Sequence, residues 1–318
     1  MKGSTRRGFL GELAAGIAAT GLTGGCVLTR SAPRFDDNLA VFLSDCHVCG
    51  DESLKRWLYT QSELRRRVCE ILAMRPLPGW VVCLGDISFG HGDPRDYAVA
   101  AALFKPLQDA GIRLAFAMGN HDRRKPFRDA FPGFGDASPV ENRLVTVVQM
   151  PLCDLILLDS LDGDGGPVGG SLDEAQQKWL ADALPKWPKP VFVCAHHGLN
   201  ELSVNGRNLL TLLKCSPNVA GYIHGHVHRW ARQWSVNWEG GQGPQRERTI
   251  RWMSLPSAGL WGDIGYVTFR TRPEGAVASL VQHGFWFNDP TSFGEVKPSV
   301  WKTITEENQG ERCAFPFH

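Results

Sequence analysis

Hydrophobic positions along this chain gather into short, nearly continuous runs, and several of the runs end on polar residues. Leu39-Ala-Val-Phe-Leu43, Trp80-Val-Val-Cys-Leu84, Ile112-Arg-Leu-Ala-Phe-Ala-Met118, Pro190-Val-Phe-Val-Cys-Ala195 and Val219-Ala-Gly-Tyr-Ile223 each have the length of a strand. Runs of that kind, bounded by turn residues, predict strands buried on both faces. The segments between them have a helical period. Leu54, Leu58, Leu64, Val68 and Leu72 predict a helix from about Glu52 to Met74, closed by Pro76, Pro78 and Gly79. Asp93-Pro94 offers an N-cap acid and a first-turn proline to a helix that runs to about Ala110, where Gly111 stops it. Ser171-Leu-Asp-Glu174 reads as a capping box opening a helix through Leu184.

The first five elements therefore run β-α-β-α-β, which predicts a parallel sheet with helices on its faces. Two β-like runs follow, Arg143 to Gln149 and Leu155 to Leu158. Beyond residue 219 the pattern is β-rich to about residue 285, with Gly240-Gly-Gln-Gly-Pro244 as a hairpin loop inside it. Trp230, Trp234, Trp252 and Trp261 in that stretch read as core. The predicted architecture is α/β, a two-sheet β sandwich flanked by helices in residues 39–305, with residues 306–318 as a C-terminal tail. Asp159, Asp162 and Asp164 lie in a glycine-rich loop that lacks the following glutamate of a calcium loop, so they read as solvated.

Composition adds little beyond class. A chain of 318 residues, 43% hydrophobic and 21% charged, is an ordinary globular protein. A net charge of +1 gives no basic field, so no nucleic-acid polymer is expected as a partner. The nine cysteines include Cys83, Cys153 and Cys194 in or beside apolar strands, where a thiol acts as a small hydrophobe. Cys46-His-Val-Cys49 has redox spacing, but its first cysteine stands between two candidate ligands.

The N-terminus changes the picture more. Thr5-Arg-Arg-Gly-Phe-Leu10 is a twin-arginine pair before an aromatic and a leucine, followed by an Ala/Gly-rich stretch to Leu22 that Glu12 interrupts. That stretch is too short and polar for a good membrane span, and residues 1–26 read as an export signal resembling the twin-arginine type. Leu22-Thr-Gly-Gly-Cys26 resembles a lipoprotein box, which would put a lipid on Cys26. Expected partners are the twin-arginine export machinery and, through Cys26, a membrane. The place is outside the cytoplasmic membrane, in a bacterial periplasm or envelope. Residues 27–38 read as a tether.

The chemistry sits at the strand ends. Five of them carry Asp45/His47, Asp86, Asn120/His121, His196 and His226/His228. Open α/β sheets keep their ligands at the carboxyl ends of strands. Carboxylate, imidazole and amide oxygen together are donors for first-row metals. Asp-x-His and His-x-His put two side chains on one side of an extended segment. One ion takes three or four protein ligands. Eight candidates at one edge therefore point to two ions, about 3.5–4 Å apart.

Asp45-x-His47, Gly85-Asp86, Gly119-Asn-His-Asp122, His196 and Gly225-His-Val-His228 together resemble the calcineurin-like metallophosphoesterases, over most of residues 39–270. Gly119-Asn-His-Asp-Arg-Arg124 with Phe127 and Phe131-Pro132 looks most like their class III cyclic-nucleotide phosphodiesterases. The resemblance implies that fold, with Asp45, His47 and His228 on one metal and Asn120, His196 and His226 on the other. Asp86 would bridge them. The ions would be divalent or trivalent manganese, iron or zinc. Two departures bear on substrate: Gly198 follows His196-His197 where prolines are common, and Ile87-Ser-Phe89 follows Asp86 without a second acid.

Two such cations would supply a water of lowered pKa and positive charge for the phosphate oxygens. His121, not needed as a ligand, would protonate the leaving oxygen or hold the phosphoryl group, with Asp122 orienting its ring. His91, His197 and His224 read as packed or solvated. The expected activity is hydrolysis of small phosphodiesters or nucleotides. Phosphomonoesters or nucleotide-sugar pyrophosphates are the alternatives within the family, and a non-catalytic metal-binding envelope protein is the alternative outside it.

Overall fold

The computed structural model describes residues 33–53, 59–163, 169–203, 205–233, 248–286 and 309–317. The signal peptide and Cys26, Leu54, Leu58, Asp164, Trp234 and the Gly240–Pro244 hairpin loop lie outside the described residues.

One sheet is built from β1 (Phe35–Leu43), β2 (Leu77–Leu84), β3 (Arg113–Ala117), β10 (Gly262–Arg272), β11 (Gly275–Trp286) and β12 (Arg312–Pro316), in the order β12-β11-β10-β1-β2-β3. The other contains β4 (Thr146–Gln149), β5 (Asp154–Leu157), β6 (Val191–Ala195), β7 (Val219–His224), β8 (Ala231–Gln233) and β9 (Trp252–Ser254), in the order β4-β5-β6-β7-β9-β8. The β1-β2-β3 and β5-β6-β7 blocks are parallel, β9 continues the second block parallel to β7, and antiparallel strands complete each sheet. Both blocks therefore present the carboxyl ends of three parallel strands, which is where the site forms.

The side-chain alternation explains the layering. Ala40 and Phe42 of β1, Val82 of β2, Leu155 and Leu157 of β5 and Phe192 of β6 belong to the core between the sheets. Their neighbours Val41, Leu43 and Val81 pack outward under Leu64, Val68 and Ile71 of α1 (Thr60–Ala73) and Tyr97 and Phe104 of α2 (Pro94–Asp109). Ile156, Val191 and Val193 face Leu180 of α4 (Glu174–Ala183) and Leu209 and Leu213 of α5 (Asn205–Cys215). A strand with apolar residues on both faces is what such a sandwich between helices requires. In α3 (Arg124–Ala130), Phe127 stacks on Phe131 at 4.8 Å between centroids, next to Phe116 of β3.

The structure corrects several expectations. Residues 35–38, expected in a tether, begin β1, and residues 312–316, expected in a tail, form β12 against β11. The N-cap of α4 is Asp173, whose carboxylate accepts from Gln176 N, and not Ser171. Asp159 is not solvated: it is fully buried and paired with Arg124. The thiols of Cys83, Cys153 and Cys194 are free and buried, as expected of small hydrophobes.

Candidate metal centre

Five of the seven predicted metal-site residues leave their strands in a left-handed backbone conformation. Asp45, His47, Asp86, His226 and His228 have φ between 44° and 69°, and only Asn142 and Ser203 share that trait among the other described non-glycine residues. Such a conformation costs about 1–3 kcal/mol per residue and persists where surrounding packing enforces it. Asp45 and His47 thus do not meet as alternate residues of an extended segment, as their spacing suggested. They meet because the chain coils immediately past β1. Two glycines make room for the coil. A Cβ at Gly119 would sit 2.2 Å from Asp86 Oδ1, and one at Gly85, itself at φ +87°, would sit 2.6 Å from Gly119 N.

The donor atoms then converge. Asp45, His47, Asp86 and His228 are all buried and bring one donor atom each within 4.8 Å of the others. His47 Nε2 lies 3.2 Å from His228 Nε2. Asp45 Oδ1 lies 3.1 Å from His228 Nε2, yet without the angles of a hydrogen bond. His228 Nδ1 pairs with Trp261 O at 2.8 Å, and a proton donated there leaves Nε2 as the lone-pair atom. Asp45 Oδ2 is occupied separately, by His226 N at 3.1 Å.

In a second group, His196, His197 and His226 likewise bring one donor atom each within 4.8 Å of the others. His196 Nδ1 pairs with Leu84 O at 2.7 Å, and its Nε2 faces Asn120 Oδ1 at 3.2 Å. Asp86 stands between the groups. Its Oδ2 is 3.6 Å from His47 Nε2 and 3.3 Å from His196 Nε2, while Oδ1 accepts from His121 N at 2.9 Å.

These residues fit two cations. Buried carboxylate oxygens and imidazole nitrogens that crowd one another this closely are costly unless a positive charge sits in their midst. Protons fill that role only in part. Burial would raise the Asp86 carboxyl, but His196 and His47 beside it hold it well below the usual range. Asp45, likewise buried, is held down by His228. Burial presses His47 down to about 3, and it opposes the same two carboxylates at His196, which nevertheless stays protonated up to about 10.

His121 stands beside this cluster, its ring 4.8 Å from that of His47. Its Nδ1 pairs with Gly90 O at 2.7 Å. The backbone carbonyl, and not Asp122, therefore orients the ring. Asp122 is fully buried and does different work. Its Oδ1 accepts from Ile87 N, Ser88 N and Tyr97 OH, and its Oδ2 from Gly119 N, at 2.9–3.2 Å. It ties the Gly119–Asp122 turn to the loop after β2. Burial, then Asp86, push its carboxyl up to about 6.

His197 is buried, with Nδ1 against Ser160 Oγ at 2.8 Å, and burial presses the packed His224 down to about 4. His91 is exposed. Sequence reasoning did not single out the Trp261 carbonyl, whose indole also lies 4.4 Å from the His228 ring, nor Glu201, with Oε1 3.9 Å from His226 Nε2. Neither follows a motif spacing. Only the fold brings residue 261 back to residue 228.

Comparison with known proteins agrees with this layout. The family model for calcineurin-like phosphoesterases matches residues 40–230. A probable cyclic nucleotide phosphodiesterase of Rhodococcus erythropolis is 30% identical over 162 residues, 49% of this chain and 51% of its own. One of Rhodopseudomonas palustris is 29% identical over 162 residues, 49% of this chain and 56% of its own. The chain thus spans about half the length of the curated relatives it matches. A dimetal phosphatase from Danio rerio shares the fold with a TM-score of 0.59 at 16% identity, over 78% of this chain and 96% of that one. A purple acid phosphatase from yellow lupin seeds does so at 0.54 and 13%, over 77% and 51%. The matched stretch begins in β1 and ends just past His228, taking in every residue of the cluster, and the chain belongs to the calcineurin-like phosphoesterase family.

Proposed function

We propose that this chain is a phosphodiesterase that hydrolyses small phosphodiesters or nucleotides at a two-metal centre. The observation that carries the reading is Asp86, one carboxylate oxygen within 3.6 Å of an imidazole nitrogen from each donor group. Asp45, His47 and His228 would hold one ion, Asn120, His196 and His226 the other, and Asp86 both. Bound there, the ions would supply Lewis acidity toward phosphate oxygens and a water that deprotonates near neutral pH. Asp45 and Asp86, held as carboxylates, supply the negative charge that retains cations. His121 supplies the proton for the leaving oxygen: with Nδ1 engaged by Gly90, Nε2 remains for that transfer. Asp122 keeps Asn120 and His121 in register with Asp86 through its bonds to both turns.

The names of the two curated relatives support the diester over the monoester. Turnover of bis(p-nitrophenyl) phosphate against p-nitrophenyl phosphate, with manganese added to the full chain, tests it. A higher kcat/KM on the diester is expected. A preference for the monoester makes the protein a phosphatase, and no turnover of either supports a non-catalytic metal-binding role.

A further inference from the structure

We infer that Glu201 is a third carboxylate of the metal centre, donating Oε1 to the ion that His226 holds. The inference rests on the two-metal reading above and adds a donor that its seven residues do not include. Glu201 sits in a turn that fixes it from both ends. Its backbone N donates to Gly198 O at 2.9 Å, and Gly198 N donates back to Glu201 Oε2 at 2.7 Å. Its carbonyl accepts from Gly170 N at 3.0 Å, which anchors the turn to the loop after β5. One carboxylate oxygen is thus spent on the backbone, and the other, Oε1, lies 3.9 Å from His226 Nε2.

That separation matches shared coordination better than a hydrogen bond. Two donors bound to one ion at about 2.0–2.2 Å each stand roughly 3–4.2 Å apart, whereas a charge-assisted hydrogen bond closes to about 2.7–2.9 Å. Gly198 is what allows the arrangement. A Cβ there would lie 3.0 Å from Glu201 Oε2, from Asn200 Oδ1 and from His224 Cε1, so any larger residue crowds the carboxylate. This is also the position where the sequence departs from prolines after the paired histidines. A proline would in addition lack the N–H that holds Oε2. The second donor group otherwise consists of imidazoles and an amide, with Asp86 shared. A carboxylate there gives the second ion an anionic ligand of its own.

The test is a manganese titration of metal-stripped full-length chain, with free ion read by electron paramagnetic resonance. Wild type should bind two ions. Glu201→Gln, which retains an oxygen for the Gly198 N–H, should weaken one of the two at least about tenfold, leave the other within about twofold, and keep the metal-free melting temperature. Glu201→Asp, with the charge retained but the carboxylate withdrawn by one methylene, should show the same loss. Cobalt-loaded Glu201→Gln should show stronger d–d absorption at the affected site, as a coordination number falls. Unchanged affinities in Glu201→Gln, or wild-type affinities in Glu201→Asp, overturn the assignment and leave the two-metal reading standing. Fewer than two ions in wild type overturn both.

Discussion

His121 and His196 are both imidazoles with Nδ1 on a backbone carbonyl, yet their surroundings give them opposite tasks. His196 Nε2 faces Asn120 Oδ1 and Asp86 Oδ2 at 3.2 and 3.3 Å, a donor among acceptors. His121 touches Asp86 only through its backbone N–H. His121→Ala should therefore keep both ions by elemental analysis and lose about 10²–10⁴ in kcat. A metal-poor His121→Ala would make that residue a ligand. The His196 environment also predicts a pH effect. In the metal-free chain the carboxylates of Asp86 and Asp45 outweigh burial and keep its imidazole protonated up to about 10. A cation must displace that proton, so affinity falls as pH drops below 10 and uptake at pH 7 releases protons. Calorimetry in buffers of different ionisation enthalpy measures the release, and buffer-independent heats would contradict it.

Elements inherit their positions from contacts of this kind, and α3 is a case in point. It follows directly on the Asn120-His121 turn, and Arg124 in its first turn reaches Asp159 with two bonds of 2.7 and 2.9 Å. The pair is buried, 9% and 0% exposed. Arg124→Ala would leave the Asp159 charge without its cation, which costs about 3–5 kcal/mol, readable as a lower urea midpoint. A change under about 1 kcal/mol would show that the amides of Leu144 and Leu161 satisfy Asp159 alone. Asp159 also shows where sequence reading stops. Its partner is 35 residues away, and nothing local separates it from the exposed Asp162. The buried runs that became β1, β2, β3, β6 and β7 were legible because two apolar faces leave no other reading. β12 was not, since Arg312-Cys-Ala-Phe-Pro316 gains its meaning only from pairing with β11. Nor was the role of Asp122, because its four donors come from the loop after β2, from α2 and from its own turn.

For the whole molecule, two parallel blocks, one in each sheet, aim their carboxyl ends at one region, and the candidate ligands divide between them. Asp45, His47, Asp86 and Asn120 come from the β1-β2-β3 block, and His196, His226 and His228 from the β6-β7 side. The first donor group needs His228 from the second sheet, and Asp86 of the first sheet reaches His196 of the other. Neither sheet alone completes a site, so ion binding should hold the two sheets together. The seven candidate ligand positions stood out in sequence because each follows a strand end. The left-handed backbone that gathers them did not, since a positive φ is uncommon for any residue but glycine, Asp and His included, and no local pattern announces it. The whole arrangement turns on Asp86 being shared by two ions. Diffraction from manganese-loaded crystals on either side of the manganese absorption edge measures this directly. Two anomalous peaks are expected about 3.5–4 Å apart, both within bonding distance of Asp86. A single peak, or two peaks of which one lies out of reach of Asp86, would contradict that sharing.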